Sequence, residues 1–268
     1  MHRDFLEIAE YAVSKGFLVN VYTNGIGITD HHFDRLCEMK VNSVSFSLYS
    51  GDPAVHDAIT KVPGSFDRTL KRIMMFKCAG VDTFIKTVVI QQNLDSLESL
   101  FLLGKRLGIA VNAATMISDS HMGVSKGSFR LQDQQQRLRA AQLLQKYDPV
   151  VQSDLHRDMD GPVCRAGLST LSIDPYGGVH PCLAFTKPVA SLRERPLREI
   201  WEQDPLMKSL RSFRFRDLSE KCGDCRYADT CGVCIGSAYS ESDCRLCPNI
   251  DACQWSEAKY DAIYRVVK

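Results

Sequence analysis

The chain has 268 residues, 44% hydrophobic and 24% charged, with a formal net charge of +1. That length and apolar share allow one large or two modest domains with a real core, and the near-neutral balance argues against a nucleic-acid or acidic partner. No apolar run approaches a membrane span, and the N-terminal helix pattern lacks a signal peptide's apolar core, so a reducing cytoplasm is the expected compartment.

Taken in chain order, residues 3–15 have helical periodicity, and residues 17–22 read as a strand ending in the turn signal Thr23-Asn24-Gly25. Residues 28–39 repeat the helical period with Phe33, Leu36 and Met39 on one face, followed by a strand over 44–49. A helix over 65–79 turns Leu70, Ile73, Met74 and Phe76 inward, a third strand covers 84–90, a helix covers 94–107 before Gly108, and a fourth strand covers 110–117. This rhythm predicts βαβ units on a parallel sheet, hence an α/β fold with four strands forming part of a barrel. A polar loop (118–130), a Gln-rich helix (131–147) and a linker (148–163) follow, placing the domain boundary between residues 150 and 151. Beyond it, residues 171–181 read as a β-hairpin turning at Pro175 to Gly178, then come a helix over 196–212, a cysteine-rich loop and a last helix from about 255. Lys208, Arg211, Arg214, Arg216 and Lys221 are expected on a solvated helix face.

Nine of the eleven cysteines lie between Cys164 and Cys253: Cys164, Cys182, Cys222-x2-Cys225-x5-Cys231-x2-Cys234, Cys244, Cys247 and Cys253. Thiols at this density in a reducing compartment are metal ligands before they are disulfides. Zinc takes four thiolates from paired C-x2-C knuckles, and iron–sulfur clusters take four thiolates that include distant ones. Here the pairs are close together with outlying cysteines, which favours iron–sulfur over zinc while leaving zinc open. Cys37 and Cys78 stand alone on predicted helices and are expected to be inert core residues.

The spacing Cys164-x12-Gly177-x4-Cys182, then Cys222-x2-Cys225-x5-Cys231 and a late Cys253, resembles the SPASM domain of radical S-adenosylmethionine enzymes. The segments "TNG", "SFSLYSGDPAVHDAITKVPGSFDRTL" and "CRAGLSTLSIDPYGGVHPC" resemble the barrel and hairpin of peptide-modifying members, so the resemblance covers essentially the whole chain. It implies a partial radical SAM barrel over 1–150 and a SPASM domain over 151–268 with two auxiliary clusters, expected as [4Fe–4S]. It assigns Cys164, Cys182 and Cys234 to the first cluster and Cys222, Cys225, Cys231 and Cys253 to the second. Cys231-x2-Cys234 is one residue shorter than the family's C-x3-C, and Cys244 or Cys247 is an alternative ligand, replacing Cys253 or completing the first cluster. Ser47, Asn24 and Lys86, near the ends of predicted strands, are the candidate S-adenosylmethionine contacts, with Ser47 foremost.

Lys86 is a lone charge in an apolar strand, so a ligand or buried carboxylate is expected beside it. Asn24 is also read as holding a left-handed turn with Gly25, Ser47 equally as a turn cap, and His31, His32 and His56 as structural. The family's His-Asp-x-x-Arg run is here His56-Asp57-Ala58-Ile59-Thr60, so that arginine contact is absent or taken by Lys61. Neither the family's C-x3-C-x2-C nor its Gly-Gly-Glu-Pro occurs in the 268 residues. The chain therefore reads as a member lacking its first two βα units and inactive alone, because the core cluster that reduces S-adenosylmethionine is missing. The family's reaction begins with a 5′-deoxyadenosyl radical and modifies a peptide or protein substrate, with electrons from flavodoxin or ferredoxin. The rival expectations are a cluster-carrying pseudoenzyme for electron transfer or peptide binding, and a structural zinc protein.

Overall fold

The computed structural model describes residues 2–117, 129–147, 158–218, 222, 224–242 and 249–265. They form two compact units, one running to Thr115 and including Lys146 and Tyr147, the other holding the remainder.

The first unit has a parallel sheet of β1 (Asn20–Thr23), β2 (Ser43–Ser47), β3 (Thr83–Val88) and β4 (Val111–Ala114), in that spatial order. The helices are α1 (Phe5–Ser14), α2 (Asp30–Glu38), α3 (Pro53–Thr60), α4 (Ser65–Cys78) and α5 (Leu97–Leu107), the last preceded by a short 3₁₀ turn, Leu94–Ser96. Side chains alternate across each strand, so Val21, Val44, Phe46 and Ile85 share one core with Leu36, Ile73, Phe76 and Leu100 from the helices. The opposite face carries Tyr22, Ser45, Ser47, Lys86 and Asn112, and the register Ser47–Lys86–Asn112 lines up three polar residues across three strands. The parallel α/β sheet is therefore as the alternation predicts.

Several local expectations are corrected. β1 starts at Asn20, and Phe17 and Leu18 lie outside it, 69% and 78% exposed. α3 was not anticipated: Asp52 accepts the Ala54 N–H at 2.8 Å and Pro53 fills the first helical position, a start signal that the sequence does contain. Lys61, named above as one alternative for the missing arginine contact, ends that helix in a left-handed conformation, φ 58°, with its residue exposed.

The second unit contains most of α6 (Gln134–Tyr147) and an antiparallel sheet of β5 (Ser172–Ile173), β6 (Gly178–His180) and β7 (Ala190–Ser191). The hairpin turn is set by Asp174, whose carboxylate accepts the Tyr176 and Gly178 N–H groups at 2.8 and 2.9 Å, while Gly177 takes φ +91°. The described helices that follow are α7 (Leu197–Gln203), α8 (Pro205–Ser212), α9 (Ile235–Ser242) and α10 (Ile250–Tyr264). The single helix expected over 196–212 is two. Pro205 lacks an N–H and drives Asp204 to ψ 131°, and Asp204 then caps α8 by accepting from Leu206 and Met207. The last helix starts at Ile250, not near 255, because Asn249 accepts the Ala252 N–H at 3.0 Å. Nor is Arg211 merely a solvated charge: it donates to the carbonyls of Gly167 and Trp201 and lies 4.5 Å over the Trp201 ring. No helix among the described residues is long and apolar enough to cross a membrane.

Candidate metal centres and cofactor groove

The apolar core of the second unit, Val163, Ala166, Phe185, Leu210, Phe215 and Ile235, has Cys164, Cys182, Cys222 and Cys231 packed against it. Burial raises the Cys164 and Cys182 thiols above the ordinary thiol range, and the neighbouring thiol of Cys234 raises both further. Cys164 in turn acts on Cys182, so these three form one group. Backbone N–H groups face its sulfurs, Ala184 toward Cys182 and Ser237 toward Cys234, each at 3.4 Å, the latter from the first turn of α9.

A second group forms around Cys253, inside the first turn of α10. Its thiol is raised first by burial, although the residue is exposed as a whole, and then by Cys231, Cys222 and Cys225. Crowded thiolates repel one another, and a cationic metal core removes that repulsion, so both donor sets fit thiolate-bound metal. Among the described residues, no three His, Cys, Asp or Glu side chains close on a point that one ion could fill. The mutual influence of the thiols reaches further than a coordination shell, and it is this influence that defines the groups. Cys244 and Cys247 lie outside the described residues.

Cys37 packs against the core of the first unit, where burial raises its thiol. Cys78 does not follow the expectation of a core residue: at the last position of α4 its side chain leaves the core, and it is exposed.

In the first unit, a groove of about 340 Å³ opens at the carboxyl ends of the strands, lined by Tyr22, Ser47, Tyr49, Lys86, Thr87 and Asn112 among others. Ser47 and Lys86 are together there, whereas Asn24 is not among the lining residues. Asn24 does not take the left-handed conformation either. Gly25 does, at φ +79°, and the Asn24 side chain accepts the Ile26 N–H at 3.1 Å. The buried carboxylate expected near Lys86 is replaced by the Tyr22 ring, 5.8 Å from its Nζ, and Lys86 forms no ion pair among the described residues.

Thr87 Oγ1 is buried with no hydrogen-bond partner among the described residues. That hydroxyl lies on the core face with Ile85, so the groove itself offers Lys86 and the Ser47 hydroxyl, which suit a ligand carrying a carboxylate and hydroxyl groups, as S-adenosylmethionine does.

The sequence reading missed Tyr22, Tyr49, Thr87 and Asn112, and missed the groups that hold Tyr49. His56, 1% exposed, accepts the Tyr49 N–H at 3.1 Å and stacks on its ring with centroids 5.7 Å apart. Burial keeps the His56 pKa below its ordinary value. Buried Asn93 donates to the carbonyls of Tyr49 and Val88, both at 2.9 Å. His32 is structural, forming a capping box with Thr29 at the start of α2.

Residues 1–103 match the Radical SAM superfamily, and residues 164–226 match SPASM, an iron-sulfur cluster-binding domain. The chain belongs to the radical SAM/SPASM family. The AdoMet-dependent heme synthase of Nitratidesulfovibrio vulgaris is 27% identical over 270 residues, a match covering 90% of this chain and 73% of the relative. Among solved structures, anSMEcpe with bound AdoMet superposes with TM-score 0.70 at 16% identity, covering 92% of this chain and 73% of that one. Streptococcus suis SuiB bound to its precursor peptide SuiA gives TM-score 0.69 at 18% identity, covering 94% of this chain and 62% of SuiB. At these identities the two structures establish a shared fold. Radical SAM/SPASM proteins bind iron–sulfur clusters and S-adenosylmethionine.

Proposed function

We propose that this radical SAM/SPASM protein holds two auxiliary iron–sulfur clusters and serves a radical modification of a peptide substrate. The observation that carries this reading is the SPASM match over residues 164–226, with Cys164, Cys182, Cys222 and Cys231 packed against one core, Cys234 acting on Cys164 and Cys182, and Cys225 on Cys253. Those residues would be the ligands, and the Ala184 and Ser237 N–H groups would stabilise two of the sulfurs as thiolates. When bound, such clusters supply one-electron transfer or an attachment point for substrate. In the groove, Lys86 would take a carboxylate and Ser47 a hydroxyl group of S-adenosylmethionine, with Tyr49 held at the rim by His56 and Asn93. Reduced thiols and a need for electrons support a cytoplasmic location and a flavodoxin or ferredoxin donor. A division of the chain near residue 150 into barrel and SPASM domains belongs to the same proposal.

SuiB, solved with its precursor peptide, supports the peptide as substrate. A heme-type tetrapyrrole is the second reading, favoured by the heme synthase match across 90% of the chain. Anaerobic titration with a candidate precursor peptide and with a carboxylated porphyrin, read by cluster EPR perturbation, separates the two.

Anaerobic reconstitution followed by iron, sulfide and zinc analysis tests the clusters themselves. About eight irons and eight sulfides per chain are expected for two four-iron clusters. A protein that takes up only zinc, with no visible charge-transfer band, overturns the iron–sulfur reading. The 268 residues contain no C-x3-C-x2-C, so this polypeptide with S-adenosylmethionine and dithionite should release no 5′-deoxyadenosine. Release above that of a cysteine-free control refutes that expectation.

A further inference from the structure

Lys259 lies on α10 beyond Cys253. It makes no hydrogen bond or ion pair with any described residue, although it is half-buried. The acidic side chains near it in sequence are engaged elsewhere: Glu257 accepts from the Tyr227 hydroxyl at 2.9 Å, and Asp261 pairs with Arg265 at 3.2 Å. The ammonium points at the cysteine loop. A Cβ added to Gly232 would stand 3.7 Å from Lys259 Nζ, so the charge rests against the residue that follows Cys231. Burial pulls the Lys259 pKa down, and the Cys231 sulfur opposes that pull. A half-buried cation with no carboxylate partner among the described residues is costly unless negative charge is bound beside it.

We propose that Lys259 is the charge-compensating residue of the second thiol group: its ammonium lies against Gly232, next to Cys231, and favours the added electron when a cluster held there is reduced. The inference rests on the proposed assignment of a cluster to Cys222, Cys225, Cys231 and Cys253. A thiolate-bound cluster carries net negative charge, and its reduction adds more. Net charge and contacts to the sulfurs set the potentials of such clusters. A fixed cation within a few ångströms shifts the reduced-to-oxidised ratio by roughly tenfold or more at an effective dielectric of about 20. Lys259 would thus make the second cluster easier to reduce, giving electron flow between the two clusters a direction. It is a positioning residue for charge, and it need not touch substrate.

The test uses the full chain, reconstituted anaerobically, in wild-type, Lys259→Met, Lys259→Gln and Lys259→Arg forms. Iron and sulfide are measured first, and EPR-monitored redox titrations follow. In the neutral variants one cluster signal should reach half-reduction at a potential lower by about 59 mV, equivalent to a tenfold shift for a one-electron couple. The other signal should stay in place, and Lys259→Arg should retain the wild-type value. Loss of one cluster's iron from the neutral variants but not from Lys259→Arg also supports the proposal, since the charge is then needed to hold the cluster. Unmoved midpoints at full iron content overturn it, as does an equal shift or equal iron loss in Lys259→Arg. Wild-type protein that binds iron for only one cluster, with that cluster unaffected by Cys253→Ser, removes the cluster assignment itself. That failure is seen before any Lys259 variant is compared.

Discussion

Asp251 lies in the first turn of α10, two residues before Cys253, and is 5% exposed. Its carboxylate faces two guanidinium groups, Arg137 at 3.4 Å and Arg130 at 3.4 Å, with side chains 6% and 18% exposed. Each contact at that distance has a Coulomb energy of about 5 kcal/mol at an effective dielectric of about 20, most of it offset by the desolvation of the charges. Replacing Asp251 by Ala keeps most of the desolvation cost of the two arginines and removes the carboxylate that faces them. The expected loss is about 3–5 kcal/mol, the range for breaking a buried pair from one side. Replacing all three residues with apolar ones, Arg130→Met, Arg137→Met and Asp251→Leu, should recover most of that loss, because the buried charges themselves are removed. Urea unfolding followed by tryptophan fluorescence is suited to the measurement. The two tryptophans, Trp201 and Trp255, both lie in the second unit, and Trp255 is 3% exposed on α10 itself. Metal loading must be the same in all samples, since ligand binding shifts apparent stability. An Asp251→Ala cost below about 1 kcal/mol, the scale of an exposed pair, would refute the reasoning. So would a triple variant no more stable than the single one.

Other outcomes are open to direct measurement. Cys253→Ser and Cys164→Ser should each remove about half of the bound iron while leaving the other cluster's EPR signal; loss of both signals from either variant contradicts two independent groups. Gly25 is held at φ +79°, and a Cβ there would meet Phe46 and the Thr69 backbone at 3.3 Å. Gly25→Ala should therefore cost more than about 1 kcal/mol by thermal denaturation, and an unchanged melting temperature speaks against the turn as described. His56 accepts the Tyr49 N–H, so its neutral ring is the folded form, and burial holds its pKa below the ordinary 6.5 despite the opposing charge of Asp57. Its contribution is fully present above 6.5 and drains as pH falls from there toward the folded value. Circular dichroism melts should show that acid-side loss in the wild type and a flatter profile in His56→Asn, and parallel profiles would exclude His56 as its source.

Much of the fold was legible because the signals are local. The alternation of Val44, Phe46 and Leu48 marks a strand, and Leu36, Ile73, Phe76 and Leu100 sit on faces with helical period. Pro53 and Pro205 were equally local signals, but a helical pattern running past Pro205 concealed the break that its missing N–H imposes. Tyr49, His56 and Asn93 were not legible, since nothing in their own surroundings says that one will hold another.

The sequence by itself determined the chemistry on offer: soft thiol donors at metal-ligand spacings behind a parallel α/β unit, and no C-x3-C-x2-C within the 268 residues. Only the tertiary structure decided that Cys164, Cys182, Cys222 and Cys231, far apart in sequence, pack against one apolar core. It also decided that Ser47 and Lys86 share a groove without Asn24. The physical reason is range. Spacing along a chain fixes what neighbours can reach through one turn or one loop, whereas a hairpin and the first turn of a distant helix meet only when the core between them is packed.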